Sequence, residues 1–223
     1  VEIPRFGIWA HTLQHAGSYA NPYREVSATA QLTAPGAAVL GGGATWRLRF
    51  SPDVIGTWQW HTRSSDSGLD GGSGTFEVVP SDRKGSLRSM NGYPHHFERQ
   101  DGSRTWFLDE TAWSLYVDNA EQQHDRAAAE HHLDVRAAQG FNVVHGMLMS
   151  ELGWGNAGGV PFGDMAAERI NPSYWQEVDH RLAYVNSKGM VGGLVLAWGR
   201  KRRDDLEPFA WDRFPDLAAK TRY

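Results

Sequence analysis

The sequence predicts a two-domain protein, with an N-terminal antiparallel β-sandwich of immunoglobulin-like type over residues 1–82 and parallel β/α units over residues 83–223. Two observations carry this. Up to Pro80, short alternating segments recur between Gly, Pro and Asn turns, without a helical stripe. Beyond it, near-continuous apolar runs are separated by amphipathic helical stretches, the rhythm of parallel βαβ units.

Taken in order, Ile3 to Leu13 reads as one strand, and Asn21-Pro22-Tyr23 is turn chemistry. Val26 to Leu32 alternates loosely and is closed by Ala34-Pro35-Gly36, with a further break at Gly41-Gly42-Gly43. Thr45 to Phe50 alternates cleanly: Trp46, Leu48 and Phe50 share one face, and Thr45, Arg47 and Arg49 the other. Thr57 to Thr62 places Trp58 and Trp60 together, Ser64 to Gly74 is a loop, and Gly74 to Val79 is a last strand ended by Pro80. The polar run Ser81 to Ser86 marks the domain boundary.

Asn91 to Gln100 then reads as an extended lead-in, and Asp101-Gly102 as a tight turn. Thr105 to Leu108 is the first buried strand and breaks into Asp109-Glu110-Thr111. Asn119 to Gln139 has the composition of a helix, stopped by Gly140. Phe141 to Leu148 is a second buried strand, followed by a long Gly-rich loop from Met149 to Asn171. Asn171-Pro172 caps a helix that runs to Lys188-Gly189, and Met190 to Trp198 is a third strand. Too few residues follow Gly102 for a closed (β/α)8 barrel, which takes about 250. The second domain is therefore expected to be the front part of something larger, or to self-associate through its open parallel edge.

Composition narrows the partners. A net charge of −4 argues against nucleic acid, and no apolar run reaches the roughly 18 residues of a membrane span. With no cysteine there is no disulfide, thiolate nucleophile or thiolate metal site. Val1 to Pro4 does not resemble a signal peptide, which leaves the compartment undecided. Ten Trp and seven Tyr serve mainly as core, with sugar stacking as the alternative use.

The strand ends carry the chemistry, because ligands of parallel sheets bind at the carboxyl ends of strands. Asp109, Glu110 and Trp113 follow the first strand, His145, Met147 and Glu151 surround the second, and Trp198 and Arg200 follow the third. For Asp109 and Glu110 the competing role is helix capping, and for His145 it is a satisfied core histidine. Glycoside hydrolysis needs two carboxylates, for which Asp109 and Glu151 are the candidates, although sequence does not give their separation. His11, His15, His95 and His96 are not accompanied by an HExxH pattern, so no metal is expected, and no cofactor either.

The sandwich segments Asn21-Pro22-Tyr23, Trp46 to Pro52, Gly56-Thr57-Trp58 and Ser64 to Phe76 occur together with a second set of motifs. That set is Phe107 to Trp113, Gly140 to Val144, Asn171 to Trp175 with Asp179, Lys188-Gly189-Met190 and Leu194 to Trp198. In this order they resemble glycoside hydrolases of the apiosidase-like type. The resemblance implies a β-sandwich before the first three β/α units of a (β/α)8 TIM barrel, and a carbohydrate substrate in polysaccharide side chains. It also implies a periplasmic or extracellular setting. It makes Asp109, Trp113, His145 and Trp198 substrate-contacting, and it puts the main catalytic carboxylates after later barrel strands. Glu110 departs from the family's Asp-Thr-Ala-Trp-like motif by inserting an extra acid. The alternatives are a non-catalytic carbohydrate-binding module using Trp58 and Trp60, or an assembly module.

Overall fold

The computed structural model describes residues 1–33, 37–38, 45–148, 155–163 and 169–195. Among them are thirteen strands in four sheets and three helices. The chain divides into two compact units, Val1–Thr105 and Trp106–Tyr223.

In the first unit, β1 (Glu2–Pro4), β7 (Ser73–Val79), β6 (Gly56–Ser64), β3 (Ala28–Thr33) and β4 (Ala37–Ala38) lie side by side in that order. β2 (Trp9–Gln14) and β5 (Thr45–Phe50) form a separate antiparallel pair. Leu48 and Trp9 from the pair and Leu32, Trp58, Trp60, Phe76 and Val78 from the larger sheet form one core. Period-two alternation decides which side chains are buried, as the sequence predicts for Leu48, which enters this core, and Trp46, which packs with Val26 and Leu69 in a second cluster. Trp58 and Trp60 are buried, with the Trp58 indole N–H donating to the Val54 carbonyl at 2.8 Å. They are thus core residues and offer no stacking surface for a sugar.

The opening stretch departs from expectation. Ile3 to Leu13 is not one strand: β1 joins β7 in parallel, whereas β2 joins β5 in the other sheet. The switch occurs at Phe6, whose φ of 60° is in the left-handed region. Its N–H donates to the Pro52 carbonyl at 2.7 Å, and its buried ring lies under the Arg5 guanidinium. Asn21-Pro22-Tyr23 initiates one helical turn, α1 (Pro22–Glu25), because Pro at the first position is preset for it. In the loop after β6, Asp66 accepts from the Tyr19 hydroxyl at 2.6 Å and from the Ala16, Gly17 and Gly68 amides at 2.8–2.9 Å. The Tyr19 bond and the three amides outweigh desolvation and hold this carboxyl well below the usual range.

The expected lead-in is extended but also paired: β9 (Tyr93–Arg99) is the central strand between β8 (Leu87–Met90) and β10 (Arg104–Thr105). Gly102, at φ +88°, makes the turn between β9 and β10.

The second unit holds a parallel sheet of order β11 (Asp109–Thr111), β12 (Val143–Met147), β13 (Val191–Val195). Thr105 to Leu108 is not the buried strand expected; Trp106 is 82% exposed, and the strand is the acidic stretch itself. Asn142 accounts for the shift. Its side chain accepts from the Leu108 amide at 3.0 Å and donates to the Trp106 carbonyl at 2.5 Å, tethering the run before ladder pairing begins. The first helix, α2 (Arg126–Ala138), starts later than Asn119, because Asp125 caps it through the Ala128 amide and Asn119–His124 is a bridged turn. α3 (Pro172–Ser187) begins at Asn171-Pro172 as expected, with the Asn171 side chain accepting from the Ser173 amide.

Arg181 of α3 is the most buried charge among the described residues of this unit, at 0% exposure. It bonds Glu177 at 2.9 Å, Asp118, and the Leu115 carbonyl at 3.0 Å, while Arg126 of α2 also grips Glu177. Burial works to raise the pKa of Glu177, but the two guanidinium groups prevail and lower it.

Two outcomes follow from these contacts. Arg181→Met should lower stability by about 3–5 kcal/mol, because it leaves Glu177 and the loop carbonyls buried without their partner; denaturant unfolding measures this, and a loss below 1 kcal/mol would contradict it. Asp66→Asn should destabilise the protein at pH 7, since the depressed pKa means that the ionised carboxylate stabilises the fold. The gap between parent and variant should close as the pH falls below about 4, where the carboxylate of the unfolded chain protonates while the folded one stays ionised; a pH-independent gap in thermal midpoints would contradict this origin.

Candidate functional site

Strand register sorts the acidic residues of β11 onto opposite faces. Asp109 aligns with Val143, Glu110 with Val144, and Thr111 with His145, which itself aligns with Gly193. Glu110 faces the helices: Arg136 of α2 donates to its Oε1 at 2.8 Å, and His132 Nε2 stands 3.6 Å away. The extra acid of the motif is therefore an anchor between β11 and α2, neither a helix cap nor part of the opposite face. Gly192 is on this same side, where a Cβ would collide with Leu182 of α3.

Asp109 and His145 lie on the other face, away from the helices. Asp109 Oδ2 accepts from His145 Nδ1 at 2.7 Å. A carboxylate accepts, so the imidazole carries a proton on Nδ1, and in the neutral ring the Nε2 lone pair is then the free acceptor. The Asp109 side chain is 23% exposed and the His145 side chain 34%, so His145 is neither a satisfied core residue nor a free surface one. Phe107 flanks the imidazole, with ring centroids 6.3 Å apart.

A Cβ at Gly193 would collide with Cδ2 and Nε2 of the His145 ring. The imidazole thus lies across the backbone of β13, in space that only glycine leaves open. Gly193 escaped the sequence reading, which counted it as part of an apolar strand. The signal was there, since glycine inside a strand marks close approach of another group.

Trp113 follows β11, and its carbonyl accepts from the Met147 amide at 3.1 Å, which ties it to the carboxyl end of β12. Its ring is 40% exposed. The chain then turns inward: Leu115, Tyr116 and Val117 are fully buried beneath the sheet. Gly146 admits them, since a Cβ there would meet Tyr116 Cε2 at 2.9 Å and Leu115 Cβ at 3.0 Å. Burial pushes the Tyr116 phenol up to about 12, so it stays neutral.

Of the predicted site residues, the structure joins Asp109 to His145 and fixes Trp113 at the neighbouring strand end. Glu151 and Trp198 lie outside the described residues, as does Arg200. Among the described residues no three His, Cys, Asp or Glu side chains gather to hold a metal, and no helix is long and apolar enough to cross a membrane. An open cavity of about 580 Å³ in the first unit is lined by residues that include His61, Arg63, Ser64 and Asp70, and holds none of the predicted site residues.

A domain of unknown function, DUF5060, matches residues 2–65. A candidate glycoside hydrolase from Bacteroides vulgatus matches with a TM-score of 0.69 at 22% identity, over 87% of this chain and 41% of its own. That likeness is one of fold, and this chain spans well under half the length of that protein. A family 5 glycoside hydrolase from Bacteroides vulgatus aligns at 20% identity with a TM-score of 0.40, over 50% of this chain and 24% of its own. No curated protein matches. The apiosidase-like catalytic domain matches residues 93–220, more than half of the chain and the segment that contains Asp109, Trp113 and His145, and the protein belongs to that family.

Proposed function

We propose that this chain is part of a glycoside hydrolase that binds carbohydrate on the sheet face carrying Asp109 and His145. The observation that carries the reading is that pair: a carboxylate and an imidazole, hydrogen-bonded at 2.7 Å and partly exposed, on the face opposite α2 and α3. Polar groups of this kind orient sugar hydroxyls, and an exposed indole such as Trp113 supplies the apolar platform that sugar rings stack on.

On this reading the first unit contains an immunoglobulin-like sandwich that ends near residue 82, and β11 to β13 with α2 and α3 are the first three units of a (β/α)8 barrel. Hydrolysis uses two carboxylates, one as acid and one as nucleophile or base, through an oxocarbenium-like transition state. Asp109 is committed to His145, which suits binding better than nucleophilic attack. The two catalytic carboxylates then belong to segments beyond the described strands, with Glu151 a candidate and Trp198 a further sugar contact. The substrate class is a polysaccharide side chain, on the strength of the family.

Binding of an oligosaccharide pool from partly hydrolysed plant cell wall, measured by calorimetry on the whole chain, tests the site. Asp109→Ala and Trp113→Ala should each weaken binding about tenfold or more, the equivalent of at least 1.4 kcal/mol. Parent-like affinity in both variants would refute the placement.

A further inference from the structure

We infer that His145 Nε2 is the atom that meets the sugar, as an acceptor for a free hydroxyl, and that Asp109 and Gly193 act through it as positioning residues. This rests on the glycan-binding reading above and deepens it. Three observations converge. Asp109 Oδ2 accepts a hydrogen bond from His145 Nδ1–H, which in the neutral imidazole leaves Nε2 as the acceptor. Asp109 Oδ1 is shut off from solvent and has no hydrogen-bond partner among the described residues, so the carboxylate meets them through Oδ2 and the imidazole. Gly193 leaves the space in which the ring lies, so any side chain there would displace Nε2.

The consequence is a specificity rule. In its neutral form the imidazole has only an acceptor at Nε2, so it takes a hydroxyl that donates and discriminates against an O-methyl or O-acyl group at the same position. Such an analogue has no proton to give and leaves the acceptor unpaired. The ligand class is therefore a saccharide with an unsubstituted hydroxyl facing β12. Glu110 takes no part, since it faces α2 on the other side of the sheet.

The test compares the parent with Asp109→Asn, Gly193→Ala and His145→Phe, each as the whole chain. Two readouts are taken: the imidazole tautomer by nitrogen NMR on histidine-labelled protein, and retention of the plant cell-wall oligosaccharide pool. The parent should show the Nδ1–H form. Asp109→Asn should move the population towards Nε2–H, because an amide can donate to Nδ1. Gly193→Ala should shift the ring resonances, and all three variants should lose at least tenfold in retention. Asp109→Asn is isosteric, so it keeps the test decisive if Gly193→Ala folds poorly. A change of tautomer with parent-like retention would overturn the inference and leave the glycan reading standing. An Nε2–H form in the parent would also overturn it. Absence of retention by the parent itself would overturn the glycan reading, and the sugar contact with it, while a tautomer shift in Asp109→Asn would still support the positioning role.

Discussion

A guanidinium with no exposed surface ties together the described helices and the loop after β11 in the second unit. Arg181 sits in α3 at 0% exposure, and every part of its environment must answer its charge. Glu177 does so one helical turn earlier, Asp118 from the loop after β11, and the Leu115 and Val117 carbonyls from the same loop. Arg126 of α2 completes the set by gripping Glu177. Desolvating these groups is costly unless all of them meet, so their assembly is close to all-or-none. The loop that begins with Trp113 is thereby fastened to the two helices, and the carboxyl end of β11 is rigid where a ligand would bind.

The sheet itself is shaped by what its glycines leave empty. Gly146 and Gly192 open the helix-facing side, one for Tyr116 and Leu115, the other for Leu182. Gly193, one residue on, opens the opposite side for His145. Successive residues of a strand point to opposite faces, so the Gly192-Gly193 pair serves packing and the candidate site at once. Asp109-Glu110 divides its work in the same way. Glu110 secures α2 through Arg136, and Asp109 holds His145.

Much of this was legible without coordinates. Alternation at Thr45 to Phe50, the Pro-marked start of α3 and the glycine stop after α2 all depend on local backbone chemistry, which a short window of sequence contains. The misses share a different cause. The turn at Phe6 divides an apolar run between two sheets, because the Arg5 and Phe6 amides donate to the Val79 and Pro52 carbonyls, far along the chain. The strand expected at Thr105 to Leu108 moved to Asp109–Thr111, because a side chain from Asn142 holds the apolar run outside the ladder. Trp58 and Trp60 look the same on paper whether they pack or stack, and only burial tells these uses apart.

By itself, the sequence determined the two kinds of architecture, the parallel order of the second, the family motifs and the short set of polar residues near the strand ends. These follow from periodicity, capping and composition, all of which are local. The tertiary structure alone decided which acid faces which side, that Asp109 meets His145, that Gly193 makes the room for it, and that Arg181 secures the loop bearing Trp113. Each of these depends on register between strands or on contacts tens of residues apart. Such contacts form only when the folded chain brings distant charges and voids together, and no short window of sequence contains them.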